Sequence, residues 1–350
     1  MNAGVLHAFL AAATFGASTP FAKLLVGEIE PIALAALLYL GSGIGLTVWY
    51  GLRALRPASP GSGTARLRRP DLPWLLGAIV FGGIAGPVLL MLGLSVTPAS
   101  SASLLLNMEG VLTSLLAWFV FKENFDRRIF IGMLLIIAGG LVLGWEQRPE
   151  IGLPWGAFAI VAACLCWAID NNLTRRISAS DAVQIAAIKG LAAGMVNLGI
   201  ALALGVAMPT AGKAALAGLV GFCGYGMSLV CFVLALQKLG TARTGAYFSV
   251  APFVGAAVSL TMLGDAPGAG FWTASVLMGA GIWLHLTERH AHLHTHEPMV
   301  HAHEHVHDEH HRHRHDFDWD GREPHAHPHR HDTAVHSHPH VPDIHHRHRH

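Results

Sequence analysis

The sequence predicts an all-α membrane protein: ten transmembrane helices arranged as two inverted five-helix repeats, followed by a disordered His-rich tail. Three observations predict it. The 350 residues are 52% hydrophobic and only 13% charged, about half the charge of an ordinary soluble domain. Ten stretches stay apolar for roughly the 20 residues a helix needs to cross a bilayer. The second half of the chain also repeats features of the first.

The stretches lie near 4–26, 32–52, 73–94, 98–121, 128–145, 153–173, 182–207, 214–236, 242–263 and 269–287. Their joints are short and carry helix breakers at Glu30-Pro31, Thr97-Pro98, Pro149, Pro209 and Pro267-Gly268. The long internal loop runs from Arg56 to Asp71 and is rich in Pro, Gly, Ser and Arg. The first stretch has no charged leader and is too long for a cleavable signal, so it reads as a membrane helix. Thirty-nine glycines suit close helix packing in lipid. The four-residue spacings Gly41/Gly45, Gly82/Gly86 and Gly190/Gly194 read as packing within the chain before a dimer face, and leave a homodimer open. The four cysteines lie in apolar stretches and read as small packing residues.

Lys and Arg distribution sets the orientation. With the N-terminus in the cytoplasm, the inner loops hold Arg53, Arg56, Arg66, Arg68, Arg69, Lys122, Arg127, Arg128, Arg175, Arg176, Lys238 and Arg243. The outer loops then hold only Arg148 and Lys213. Ten crossings return the C-terminus to the cytoplasm, so the chain is expected to be a multi-pass membrane protein with both ends cytosolic. The expected domains are 1–145 and 146–288 for the two repeats and 289–350 for the tail.

The repeat is legible in two places. The segment from Glu109 to Glu123 aligns at an offset of 142 with Ala251 to Asp265, an acid closing both. Phe15-Gly-Ala-Ser-Thr-Pro-Phe-Ala-Lys23 aligns at an offset of 152 with Trp167-Ala-Ile-Asp-Asn-Asn-Leu-Thr-Arg175. The difference fits the longer loop of the first half. Five spans per half is an odd number, so the halves are inverted. Inverted repeats are a device of secondary transporters, with the substrate site at the midplane between the halves.

These elements resemble the EamA-type transporters of the drug/metabolite transporter superfamily over about residues 1–287. Gly110 departs from the pattern, standing where the family, like Pro252 of the second half, has proline. The resemblance implies a ten-helix inner-membrane carrier that often exports small metabolites.

Ionisable groups inside a span are costly and therefore functional candidates. The candidate pathway residues are Glu109 and Asn107 in the fourth span, Lys189 in the seventh, and Trp167, Asp170 and Asn171 in the sixth. Desolvation favours a neutral carboxyl and a nearby cation the charged one, so Glu109 reads either as a proton- or substrate-binding group or as the ion-pair partner of Lys189. A cationic Lys189 suits anionic or zwitterionic solutes. Asp170 reads equally as snorkelling to the cytosolic interface beside Arg175 and Arg176. Lys23 is a further charge within the first span. Trp167, Phe15, Trp118 and Tyr247 read as cavity wall, packing or belt residues.

The tail carries 23 of the 25 histidines, most at alternate positions. Its ligand candidates are His301, His303, His305, His307, His310, His311, His313, His315, His345, His346, His348 and His350. Imidazole without thiol suits Ni, Zn, Co or Cu. The transport body calls for no cofactor. Lacking a phosphate-binding loop or a nucleophile–base constellation, it does not read as an enzyme. The expected partners are the lipid bilayer, a small-molecule solute and a divalent transition metal; nucleic acid is not among them. The leading reading is a secondary transporter exporting small metabolites by alternating access, with a cytosolic metal-binding tail. The alternatives are transition-metal (Ni, Co, Zn) efflux using the tail to capture ions, and a membrane-anchored metal store or sensor.

Overall fold

The structure, a computed structural model, describes residues 3–54, 67–121, 127–146, 155–178, 180–287 and the backbone of 291–296, 299–305, 325–331 and 334–339. It divides into two compact units, Met1–Pro57 with Thr64–Glu288, and Ala58–Gly63 with Arg289–His350.

The first unit is helical. Its α-helices are α1 (Ala3–Val26), α2 (Pro31–Ala54), α3 (Leu72–Ala78), α4 (Gly86–Val96), α5 (Ala99–Leu105), α6 (Met108–Phe121), α7 (Arg127–Glu146), α8 (Trp155–Ile177), α9 (Ala182–Ala203), α10 (Ala211–Val220), α11 (Ser228–Phe248), α12 (Ala251–Leu263) and α13 (Ala269–Leu286). Wide π-helical turns, Ile79–Ala85 and Gly221–Met227, join α3 to α4 and α10 to α11. Among the described residues, six helical stretches are long and apolar enough to cross a membrane, and Phe130–Trp145, Ala251–Leu263 and Ala269–Leu284 are shorter apolar helices.

Two details refine the expected spans. The fourth stretch is broken at Leu106–Asn107 into α5 and α6. The expected joint between the eighth and ninth stretches falls inside α11, where Gly240-Thr241 has no counterpart of the Pro98 breaker. Phe232 and Phe248 would lie about 24 Å apart along a straight helix, yet their rings meet edge to face at 5.0 Å between centroids. The chain therefore does not run straight between them.

Packing maps onto itself when the halves are exchanged. Helix α1 packs on α11 and α12, and its equivalent α8 packs on α4 and α6. Helices α2 and α9, equivalents of each other, share the largest interface, and α7 pairs with its equivalent α13. The π turns add an independent register: 221 − 79 = 142 and 227 − 85 = 142, the offset that aligns Glu109 with Ala251.

Contacts between joints fall into two sets. In one, Arg53 meets Asp181 at 3.3 Å, the Leu67 amide donates to Gln184, Gln237 donates to the Ser178 and Ser180 carbonyls, Arg128 donates to the Thr287 carbonyl, and Arg176 lies 5.4 Å over the Trp74 ring. In the other, Lys213 pairs with Glu28 at 2.9 Å, Lys23 donates to the Leu94 carbonyl at 2.7 Å, and Asp265 accepts from the Ser100 amide at 3.1 Å. A 24-residue helix such as α1 separates its ends by about 36 Å, so the sets are opposite ends of one bundle. Joint 27–30 and its repeat equivalent 178–181 belong to different sets, as inversion demands. Lys23 is thereby assigned to the α4 terminus, where it satisfies backbone carbonyls.

The bundle is apolar outside as well as inside. Leu52, Leu76, Leu141 and Val276 are well over half exposed, a surface that suits lipid rather than water. Exposed Trp49, Trp74 and Trp283 lie near helix ends on the first side, and Trp145, Trp155 and Trp272 near the other, in the manner of interfacial aromatic belts. The cysteines are free.

Several glycines let helix backbones within the chain approach closely. A methyl at Gly43 would run into the backbone of Gly190 and Leu191, one at Gly41 into Gly218, and one at Gly194 into Leu40. We expect Gly43→Ala to lower stability by about 1–3 kcal/mol, the usual range for overpacking. The same change at Gly51, which has open space around it, should leave the melting temperature unchanged. Thermal unfolding of the detergent-solubilised protein distinguishes them.

The described residues of the second unit form strands β1 (Ala291–His296), β2 (Met299–His305), β3 (His325–His331) and β4 (Ala334–Pro339). β1 pairs antiparallel with β4, and β2 with β3. The register sets His292 opposite His338, His294 opposite His336, and His301, His303 and His305 opposite His329, His327 and His325. The physical reason is period: alternation of His with another residue repeats every two positions, which is the period of a strand.

Candidate functional site

One polar cavity lies where the two repeats meet. Its walls come from α1 (Phe15), α2 (Tyr39, Ser42) and α6 (Glu109) in the first half. The second half supplies α8 (Trp167, Asp170, Asn171), α9 (Lys189), the second π turn (Tyr225) and α11 (Phe232, Phe248). Counted with its open mouth, it encloses about 640 Å³ of space free of protein atoms.

Local helix geometry explains the gathering. On α8, Trp167, Asp170, Asn171 and Thr174 recur at three- and four-residue intervals and so share a face. The break at Leu106–Asn107 restarts the helix just before Glu109, which falls in the first turn of α6. The positive end of the helix dipole favours a carboxylate there.

The charges pair differently from either expectation. Lys189 is 2% exposed and donates to both Asp170 oxygens, at 2.6 and 2.7 Å. Thr174 Oγ1 donates to Asp170 Oδ1 at 2.8 Å. Asp170 therefore does not snorkel to the interface; it is buried and neutralised by Lys189. Lys189 in turn is not the partner of Glu109. Glu109 Oε1 accepts from Asn171 Nδ2 at 2.7 Å, and among the described residues no Lys or Arg pairs with it. The physical cause is position: Asp170 and Lys189 face each other across α8 and α9, while Glu109 approaches α8 from α6 and meets the neighbouring amide.

The first π turn is tied to the same wall. The Gly82 carbonyl accepts from both Tyr39 Oη at 2.6 Å and Trp167 Nε1 at 3.0 Å, and the Gly83 carbonyl accepts from Asn197 Nδ2 at 3.1 Å. A π turn disturbs the regular ladder and frees carbonyls for such partners. A methyl at Gly82 would collide with the Asp170 carboxylate. The aromatic side chains form a connected group: Phe15 meets Trp167, Tyr225 and Phe248 at 5.8, 5.9 and 5.6 Å between centroids, and Tyr39 meets Tyr225 at 5.6 Å.

Of the residues singled out from sequence, Glu109, Lys189, Asp170, Asn171 and Trp167 line this cavity, as does Phe15. Asn107 does not. Its amide donates to the Leu104 carbonyl and to Met278 Sδ on α13, in a buried position beside the helix break. Tyr247 packs on Phe9; the Trp118 side chain lies outside the described residues. Sequence reasoning missed Tyr39, Ser42, Tyr225, Phe232 and Phe248. An aromatic residue in an apolar span gives no sign of which way it faces, although the glycines around Tyr225 mark that turn as unusual.

Among the described residues no group of three or more His, Cys, Asp or Glu side chains is gathered to hold a metal. His301, His303 and His305 lie on β2. His307, His310, His311, His313, His315, His345, His346, His348 and His350 lie outside the described residues.

Comparison with known proteins follows the same architecture. Residues 2–145 and 154–287 each match the EamA-like transporter family. The chain is 28% identical over 274 residues to an uncharacterised transporter of Methanothermobacter thermautotrophicus, covering 74% of this chain and 79% of that one. It is 44% identical over 81 residues to a probable 4-amino-4-deoxy-L-arabinose-phosphoundecaprenol flippase subunit, ArnE, of Pseudomonas aeruginosa, covering 23% of this chain and 67% of the relative. A crystal structure sharing 19% identity superposes with a TM-score of 0.61 over 80% of this chain and 94% of its own, a likeness of fold. With two copies of the family domain spanning most of its length, this chain belongs to the EamA-like transporter family.

Proposed function

We propose that this membrane transporter is a secondary exporter of small metabolites that works by alternating access between inverted repeats 1–145 and 146–288. The cavity carries this reading. It is built from both halves, and it holds an acid–base pair and a further carboxyl within a largely apolar bundle, where such groups are costly unless used. Rocking of the halves about a fixed central site is how inverted repeats expose one site to either side. Under this reading Glu109, Asn171, Trp167 and the Asp170–Lys189 pair form the pathway, and Asn107 supports the helix break beside it. The ten crossings run with both ends cytosolic in the inner membrane. The grouping of joints into two opposite sets supports the crossing pattern, and the Lys/Arg bias supports its sidedness.

The test is flux. Proteoliposomes loaded with a metabolite extract should release specific solutes faster than empty liposomes do, and reporter fusions at His350 should report the cytosol. No protein-dependent release of any solute would remove the carrier reading.

The 289–350 segment, in this proposal, is an accessory metal binder for Ni, Zn, Co or Cu. The cross-strand registers support it, because they set histidines opposite one another along the paired strands. Deleting 290–350 should abolish Ni binding measured by calorimetry and leave solute release within about twofold. Loss of metal tolerance in cells carrying the deletion, with no solute flux from the intact protein, would favour metal efflux instead. The sequence similarity to the flippase subunit supports a second reading, in which the cargo is a lipid-linked amino sugar; a scrambling assay with a labelled lipid tests it.

A further inference from the structure

The proposed carrier has a cavity whose acidic and basic groups are not matched one to one. Two carboxyls and one ammonium line it. Lys189 is engaged by both oxygens of Asp170 and lies 3.4 Å from Thr174 Oγ1, so that pair is closed electrostatically. Glu109 remains, held by the neutral Asn171 amide through one oxygen.

The walls around Glu109 have a matching chemistry. Phe15, Trp167, Tyr225, Phe248 and Phe232 are linked ring to ring. Their faces attract cations through the ring quadrupole, most strongly where water is excluded. The Trp167 N–H and Tyr39 O–H, which otherwise suit an anion, are spent on the Gly82 carbonyl. The Ser228 hydroxyl is spent on the Ala11 carbonyl. A solute carboxylate or phosphate would therefore meet no free cation among the described residues of this wall, and would meet the Glu109 charge.

We propose that the cavity takes an organic monocation: an ammonium on a small aromatic or aliphatic body, with the charge on Glu109 and the body among the rings. Asn171 is the positioning residue, aiming the carboxylate. This rests on the carrier reading of the same site and narrows it. It also reverses the expectation that a cationic Lys189 selects anionic or zwitterionic solutes.

The test uses the full chain in lipid nanodiscs and four probes of similar size: phenethylamine, benzyltrimethylammonium, neutral 2-phenylethanol and anionic 3-phenylpropionate. Calorimetry should show both cations binding at least about tenfold more tightly than the neutral and anionic probes. Glu109→Gln should remove most of that preference, and Asn171→Ala should weaken cation binding several-fold while keeping its sign. The charge series on the unaltered protein needs no variant, so a misfolded mutant leaves the result intact. No binding of either cation, equal binding of all four probes, or preference for the anion overturns the proposal. Counterflow of labelled phenethylamine in proteoliposomes then separates the two readings. Binding without exchange counts against transport and leaves the cation site standing. Exchange of 3-phenylpropionate in place of phenethylamine counts against the cation site and leaves transport standing.

Discussion

Glu109→Gln should reduce solute exchange by about 30-fold or more while leaving the protein folded. Gln has the size of Glu, and Asn171 Nδ2 can still donate to its carbonyl in place of Glu109 Oε1, now at 2.7 Å. No Lys or Arg among the described residues loses a partner, so nothing nearby is left with an orphaned charge. What disappears is the charge itself, in a cavity walled by aromatic rings. Losing one member of a buried charge pair with a ligand costs about 2–5 kcal/mol, and 2 kcal/mol is about 30-fold. Initial rates of exchange, set beside thermal melting of the same preparation, make the measurement. Unchanged rates would exclude Glu109 from the pathway; a collapsed melt would assign it to folding.

The second large effect belongs to the Asp170–Lys189 pair. Removing either member leaves the other buried and unmatched, which costs about 3–5 kcal/mol. Asp170→Ala and Lys189→Ala should each sharply lower the melting temperature in detergent. The double variant Asp170→Asn with Lys189→Met should recover much of the loss, because an unpaired buried charge costs more than a neutral pair. The two side chains are 10% and 3% exposed, so solvent screening takes little from this. Single variants as stable as the parent would mean that water reaches the pair. Gly82→Ala should show a milder form of the same defect, since its methyl enters the space of the Asp170 carboxylate.

The two effects differ in kind because the two carboxyls do. Asp170 has its ammonium built in, accepts from a hydroxyl as well, and belongs to the framework between α8 and α9. Glu109 stands at a helix restart and, among the described residues, is met by the Asn171 amide rather than by an ammonium. Both are acids in apolar stretches, and in one dimension they carry the same signal. The reading that Glu109 and Lys189 form the pair, and that Asp170 reaches for the interface, was reasonable on spacing and was overturned by which faces of α6, α8 and α9 meet.

Much of the architecture is legible from the chain alone. Hydropathy marks the apolar stretches because each backbone amide in lipid must be satisfied within its own helix, so length and composition are nearly sufficient. The offset of 142 that aligns Glu109 with Ala251 recurs in the two π turns, which no hydropathy profile indicates. Candidate residues were also legible where cost made them conspicuous: of the six pathway residues named, Asn107 alone stands apart from the cavity.

By itself, the sequence determined that the chain is built for lipid, that it is doubled, and where charged groups must be accounted for. These follow from composition and spacing, which are properties of the chain taken locally. Tertiary structure alone decided which charge is neutralised and which is left facing the cavity, and which of many apolar-span aromatics become its walls. Those outcomes depend on how helices far apart in sequence rotate against one another, and rotation is set by packing contacts such as Gly43 against Gly190 rather than by any local pattern.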